Sequence, residues 1–314
     1  MRELSDTARE EVVGWLLAGD RAIRWQVMRD LLGEPASVWR AERERVASEG
    51  WGARLLGFQD ASGRWTPRLY GKKWISTTYS IVLLRRMGLE PGEPRAVRSC
   101  RLFLEEGLWE DGGINVSATQ ARSETCVSGF ALALLSWFGV EDPRREWLVG
   151  YLLREQMPDG GWNCQRDRGA THSSFHTTIN VLEGLREYAQ AAGSQPAPVL
   201  EAEAIGREFL LRHRLYCSHR TAEIVDEKMT RLSFPPRWRH DVLRALDYFR
   251  SADAAPDERL TDAIELLQAK RRTNNRWPLQ QRHPGATWFE MEQVGKPSRW
   301  NTLRALRVLD WWNH

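Results

Sequence analysis

Residues Gln156-Met157-Pro158-Asp159-Gly160-Gly161-Trp162 close one apolar segment, and Ser173-Ser174-Phe175-His176-Thr177-Thr178 open the next. Asp-Gly-Gly is turn chemistry, and a Ser/Thr-rich opening supplies oxygens for the free N–H groups of a helix start. The unit recurs. Comparable turns are Gln59-Asp60-Ala61-Ser62-Gly63-Arg64-Trp65, Glu110-Asp111-Gly112-Gly113-Ile114 and Arg271-Arg272-Thr273-Asn274-Asn275-Arg276-Trp277. Apolar segments at helical spacing begin near Ala22, Trp74, Glu124, Ser173, Pro235 and Pro297, as in Leu303, Leu306 and Leu309. Aligning their first inward positions gives Trp25, Ser76, Cys126, His176, His240 and Trp300, which lie 51, 50, 50, 64 and 60 residues apart. Each interval holds a helical hairpin that cannot bury its own faces, so the hairpins must stack, in an open solenoid or a closed ring. The run 190–196 reads as one exposed loop, because the pattern continues across it. Residues 1–314 therefore read as a single domain.

Composition narrows the function classes. An apolar fraction of 42% with 28% charged residues excludes collagen-like and disordered chains. No run of 18 apolar residues predicts a membrane span. The opening Met1-Arg2-Glu3-Leu4-Ser5-Asp6 lacks an apolar leader core, and four cysteines suit a reduced compartment, so the cytoplasm is the expected location. A net charge of +3, from 45 basic and 42 acidic residues, disfavours nucleic acid as a partner. Sixteen tryptophans suit the aromatic walls of an apolar cavity.

The D-G-G-W turn with its upstream Gln, followed by S-x-x-H-T-T, resembles the repeats of terpenoid cyclases and protein prenyltransferase β-subunits. The chain also resembles bacterial squalene-cyclase-like proteins, from about Gly14 to Trp312. The resemblance implies an all-α fold, the α/α toroid: an inner ring of parallel helices, an antiparallel outer ring, about six hairpins and a central cavity. Inner-helix N-termini would then gather at one end, which favours anions.

Cys126 and His176 occupy equivalent openings, Glu124 precedes Cys126 by two residues, and Cys164 lies in the loop before the His176 helix. Thiolate, imidazole and carboxylate are zinc ligands, and an open fourth position makes such a site catalytic. In the prenyltransferase β-subunit an acidic residue, x, Cys and a later His hold zinc. Glu124-Thr125-Cys126 and Phe175-His176-Thr177 match that pattern, with Glu for the usual Asp. The expected metal set is Glu124, Cys126, Cys164 and His176. Glu124 could also act as a base, with His240 and Asp241 carrying protons. The bland reading is that both cysteines are small core residues and His176 caps its helix. Arg231, Arg237, Arg239 and Arg299 cluster near the openings and fit phosphate or carboxylate, or stack on Trp238 and Trp300. Trp25, Trp74, Trp162, Trp238 and Trp300, with Arg239 and Arg299, are the expected substrate-binding residues at the cavity mouth.

The sequence also departs from these families. It has neither the D-x-D-D nor the D-D-x-x-D of cyclases, Val127 stands where the prenyltransferase has Tyr, and only Arg122 represents its upstream basic residues. Two readings follow. One is a zinc-dependent, prenyltransferase-like enzyme whose aromatic-lined apolar cavity takes a hydrophobic or prenyl-type small molecule, with zinc activating a thiol or a water. The other is a non-catalytic toroid that grips a ligand or protein around a structural zinc.

Overall fold

The computed structural model describes residues 4–71, 73–117, 121–191, 193 and 196–313. Its helices are α1 (Asp6–Leu17), α2 (Arg21–Asp30), α3 (Ala36–Glu44), α4 (Gly50–Leu56), α5 (Thr77–Met87), α6 (Pro94–Leu102), α7 (Thr125–Trp137), α8 (Arg145–Arg154), α9 (Phe175–Ala191), α10 (Ala197–Arg212), α11 (Val242–Ser251), α12 (Thr261–Ala269) and α13 (Arg299–Asn313). Among the described residues, β-structure is confined to isolated bridges.

Six of these helices form a closed inner ring, and specific contacts mark each seam. Trp25 of α2 donates through Nε1 to the Met87 carbonyl at the end of α5, 2.9 Å away. Tyr79 of α5 meets Phe130 of α7 edge-on. Between α7 and α9 the backbones touch: a Cβ on Gly184 would lie 2.5 Å from the Gly129 carbonyl oxygen. Arg244 of α11 holds Glu183 of α9 through Nε and Nη2, at 2.8 and 2.9 Å. Arg307 of α13 grips Asp247 of α11 on one side and Gln26 and Asp30 of α2 on the other, at 3.0 and 3.1 Å. That last contact closes the circle, so the fold is the expected α/α toroid.

The repeated turn is a structural staple. Trp65, Trp162 and Trp277 each donate Nε1–H at 2.7 Å to a carbonyl ten residues earlier, on Leu55, Leu152 and Leu267. Their backbone N–H groups go to Thr77, Thr178 and Thr302 in the first turns of the following inner helices. Asp111 and Asp159 accept from Ser123 and Ser173, and Gln59 and Gln156 donate to the turn carbonyls of Gly63 and Gly160. The motif therefore welds an outer helix to the next inner one. This corrects the expectation that Trp162 lines the mouth: it is wholly buried inside the hairpin, against Gly206.

The bare backbone contact between α7 and α9 tolerates no side chain. Gly184→Ala should lose about 2–3 kcal/mol by overpacking. Gly14→Ala, with open space around it on α1, should be neutral or gain up to about 1 kcal/mol of helix propensity. Urea denaturation of the two variants against the parent decides it, and equal midpoints would refute the close approach.

Candidate functional site

The inner helices begin at a mouth covered by residues 282–292, a strap without regular structure. Trp74 pins it by donating Nε1–H to the His283 carbonyl at 3.0 Å. Trp288 donates to Ser80 Oγ at 3.1 Å and stacks on Phe58, with centroids 4.6 Å apart. Phe289 lies under the Arg54 guanidinium at 4.4 Å. The strap ends at Glu292, whose carboxylate accepts from Ser298 Oγ and from the Arg299 N–H at the start of α13.

Beneath the strap lies an apolar pocket walled by Trp74, Leu83, Phe234, Leu279, Trp288 and Met291. Its free volume, about 30 Å³, admits little more than one water. One buried cation faces it. Arg237 is 6% exposed, has φ of 57°, and packs its guanidinium against Trp74 at 5.3 Å. Among the described residues no carboxylate forms an ion pair with it. Glu290, which acts on it at longer range, is paired with Arg282. Burial lowers the Arg237 pKa to about 10.

The expected zinc ligands separate into two groups. The sulfurs of Cys126 and Cys164 share a hydrogen bond, with Glu124 close by. That shared bond, with burial, pushes the Cys126 thiol well up, and the same bond holds Cys164 down to about 6. Tyr70 and Tyr79, hydroxyls 2.9 Å apart, border the pair. His176 is held elsewhere. Its Nδ1 accepts the His240 backbone N–H at 2.9 Å and its ring packs edge-on against Trp238. Among the described residues no three His, Cys, Asp or Glu side chains come within reach of one ion.

The expected proton carriers also make bonds within the fold. His240 donates Nε2–H to the Leu215 carbonyl at 2.6 Å and is 2% exposed. Asp241 caps α11, accepting from the Arg244 N–H at 2.8 Å and from Ser233 Oγ. Of the expected substrate-binding residues, Trp74 does wall the apolar pocket. Trp300 stacks on Phe234, and both border the lumen deeper in. Trp25 sits at the fifth position of α2 and faces the opposite end of the ring. Arg239 lies over Trp238, and Arg299 turns outward onto Trp15, donating to its carbonyl.

The central cavity departs from the apolar chamber expected of it. At the C-terminal ends of the inner helices it opens to about 490 Å³, and eight arginines and five carboxylates share its wall with Trp25, Trp137 and Trp300. Sequence reasoning missed these charges, although Arg244 and Asp247, and Arg304 and Arg307, carry the i, i+3 spacing of one helix face.

No protein-family model and no curated protein matches the chain. Among solved structures it is similar to the type II terpene cyclase MstE from Scytonema: 17% identity, 96% of each chain, TM-score 0.49. It is also similar to a protein from Actinoplanes, at 16% identity over 98% of this chain and 99% of that one, TM-score 0.49. A variant of the Scytonema cyclase in complex with geranylgeranyl dihydroxybenzoate matches at 16% identity over 96% and 95%, TM-score 0.48. No helix among the described residues is long and apolar enough to cross a membrane.

Burial of neutral imidazoles makes stability depend on pH. Burial lowers the His240 pKa from 6.5 to about 4, and likewise that of His283 to about 4 and of His176 to about 3. Between pH 6.5 and 4 the unfolded chain binds protons that the folded one refuses, so stability falls with pH across that window. His240 alone accounts for at most about 3 kcal/mol. The urea midpoint should drop through this range, and His240→Gln should flatten the slope. A parent protein with a constant midpoint would exclude the buried neutral state.

Proposed function

We propose that the toroid binds a hydrophobic small molecule carrying one anionic group, in the apolar pocket beneath the strap. The carrying observation is Arg237, a buried guanidinium with no ion partner among the described residues, facing a mainly apolar and aromatic wall to which the strap adds Arg282, Glu290 and Glu292. A buried charge without a counter-ion is unfavourable, and a carboxylate or phosphate arriving on a hydrocarbon body supplies one. Apolar enclosures with a single charged anchor fix the orientation of such ligands. Helix N-termini at this end of the ring add favourable potential for the anion. The closed pocket is too small for a ligand, so binding displaces residues 282–292 outward while Glu292 keeps the strap's far end on α13. The reading is of a binding site. His240 donates through Nε2 to a carbonyl and Asp241 caps a helix, while His240 Nδ1 has no hydrogen-bond partner among the described residues.

Calorimetry with a prenyl-type carboxylate and its matching alcohol tests this. The carboxylate should bind at least tenfold more tightly, and Arg237→Met should abolish the difference while keeping weak apolar binding. Trp288→Ala, which loosens the strap, should speed association. Equal affinity for acid and alcohol in the parent protein would overturn the reading.

A further inference from the structure

The charged basin at the other end of the ring is a second site, distinct from the apolar pocket. Its electrostatics do not close on themselves. Eight arginines face five carboxylates, and four of these, all but the exposed Asp253, are already engaged. Glu183 is held by Arg244 and Arg86, and Glu187 by Arg85 and Arg186. Asp247 is shared among Arg250, Arg304 and Arg307. What remains is guanidinium capacity. Arg304 is 3% exposed, and its Nη2 is buried without a hydrogen-bond partner among the described residues. The Nε groups of Arg85, Arg86 and Arg186 are in the same condition. A buried donor left unmade costs about 1–3 kcal/mol, and a charged one more. These four guanidinium groups belong to the wall of one cavity of about 490 Å³ in which arginines outnumber carboxylates.

The C-terminal dipole ends of six inner helices account for some of the arginines, because cations are favoured there. They do not account for the excess of eight arginines over five carboxylates on one wall, nor for the unfilled volume. Guanidinium forks match tetrahedral oxyanions bidentately, and several forks around one space match several charges. We propose that this basin binds a multiply charged oxyanion of the phosphate class, as carried by a small organic phosphate. The volume exceeds that of pyrophosphate, which leaves room for an organic portion against Trp25 and Trp137.

Inorganic pyrophosphate is the probe. Titration calorimetry at constant ionic strength should give saturable one-to-one binding, and the melting temperature should rise with ligand. Arg304→Gln should weaken binding at least tenfold; Asp247 keeps Arg250 and Arg307, so the variant has the means to fold. Arg186→Gln, at the rim, should weaken it several-fold and decides the matter alone if the first variant does not fold. Arg237→Met, at the opposite mouth, should leave pyrophosphate affinity unchanged. Malonate should bind at least tenfold more weakly. The proposal fails if pyrophosphate does not saturate, if Arg304→Gln and Arg186→Gln bind it as the parent does, or if malonate matches it.

Discussion

The buried ion network on the lumen side of the inner ring is the constraint on which the rest depends. Glu183 sits between Arg244 of α11 and Arg86 of α5, and Asp247 between three arginines, one of which reaches α2. Burial by itself would raise both carboxyl pKa values, but the surrounding guanidiniums hold both well below the usual range. Desolvating such charges is repaid only when every partner is in place, and removing one partner leaves an uncompensated charge. The partners come from α2, α5, α9, α11 and α13, so a ring open at any seam exposes the network to large cost. The network therefore acts as a register device. It favours the one arrangement in which Arg307 spans from α11 to α2, and it tolerates no slip of one helix along another.

That constraint also separates the two ends of the lumen. Phe234 borders both cavities and stacks on Trp300 with centroids 4.1 Å apart, forming a partition across the ring. Above it the wall is mainly apolar, with Arg237 and the strap's Arg282, Glu290 and Glu292. Below it the wall is ionic. Helix dipoles alone would give the opposite gradient, with positive potential at the N-terminal mouth and negative at the far end. The side chains invert this at the far end by placing excess arginine there, and charge of that density needs either solvent or a ligand.

The turns and the hairpin count were legible in the sequence because their chemistry is local. Asp159, Ser173 and Thr178 perform the bonds that their residue types suggest, within 16 positions of Trp162. The roles of the tryptophans were not legible. Trp162 and Trp277 look like cavity lining by composition, yet both face into their own hairpin, because their N–H reaches a carbonyl ten residues back. The alignment of helix openings was uneven in phase. Cys126, His176 and Trp300 are each the second residue of their helices, but His240 precedes the cap of α11 and Trp25 is fifth in α2. One residue turns a helical side chain by about 100°, so an alignment of openings correct to one or two residues does not aim side chains at a common point. The lumen charges were hidden for a different reason. Arg304 and Arg307 three apart is equally the pattern of a solvated stripe, and only ring closure turns that stripe inward.

The strap shows how closure at one place sets geometry at another. Its last carboxylate, Glu292, accepts from the N–H groups of Arg299 and Trp300, so it serves as the N-terminal anchor of α13. Trp300 is also the residue that stacks on the partition, and its own Nε1 is buried without a partner among the described residues. Residues 282–292 are therefore tied both to the apolar pocket that they cover and to the helix carrying Arg304 and Arg307. A ligand entering beneath the strap has to move Trp288 and Phe289 while leaving Glu292 in place. If Glu292 also let go, the first turn of α13 would lose its anchor, and the ring seam at Arg307 would lose the helix that positions it.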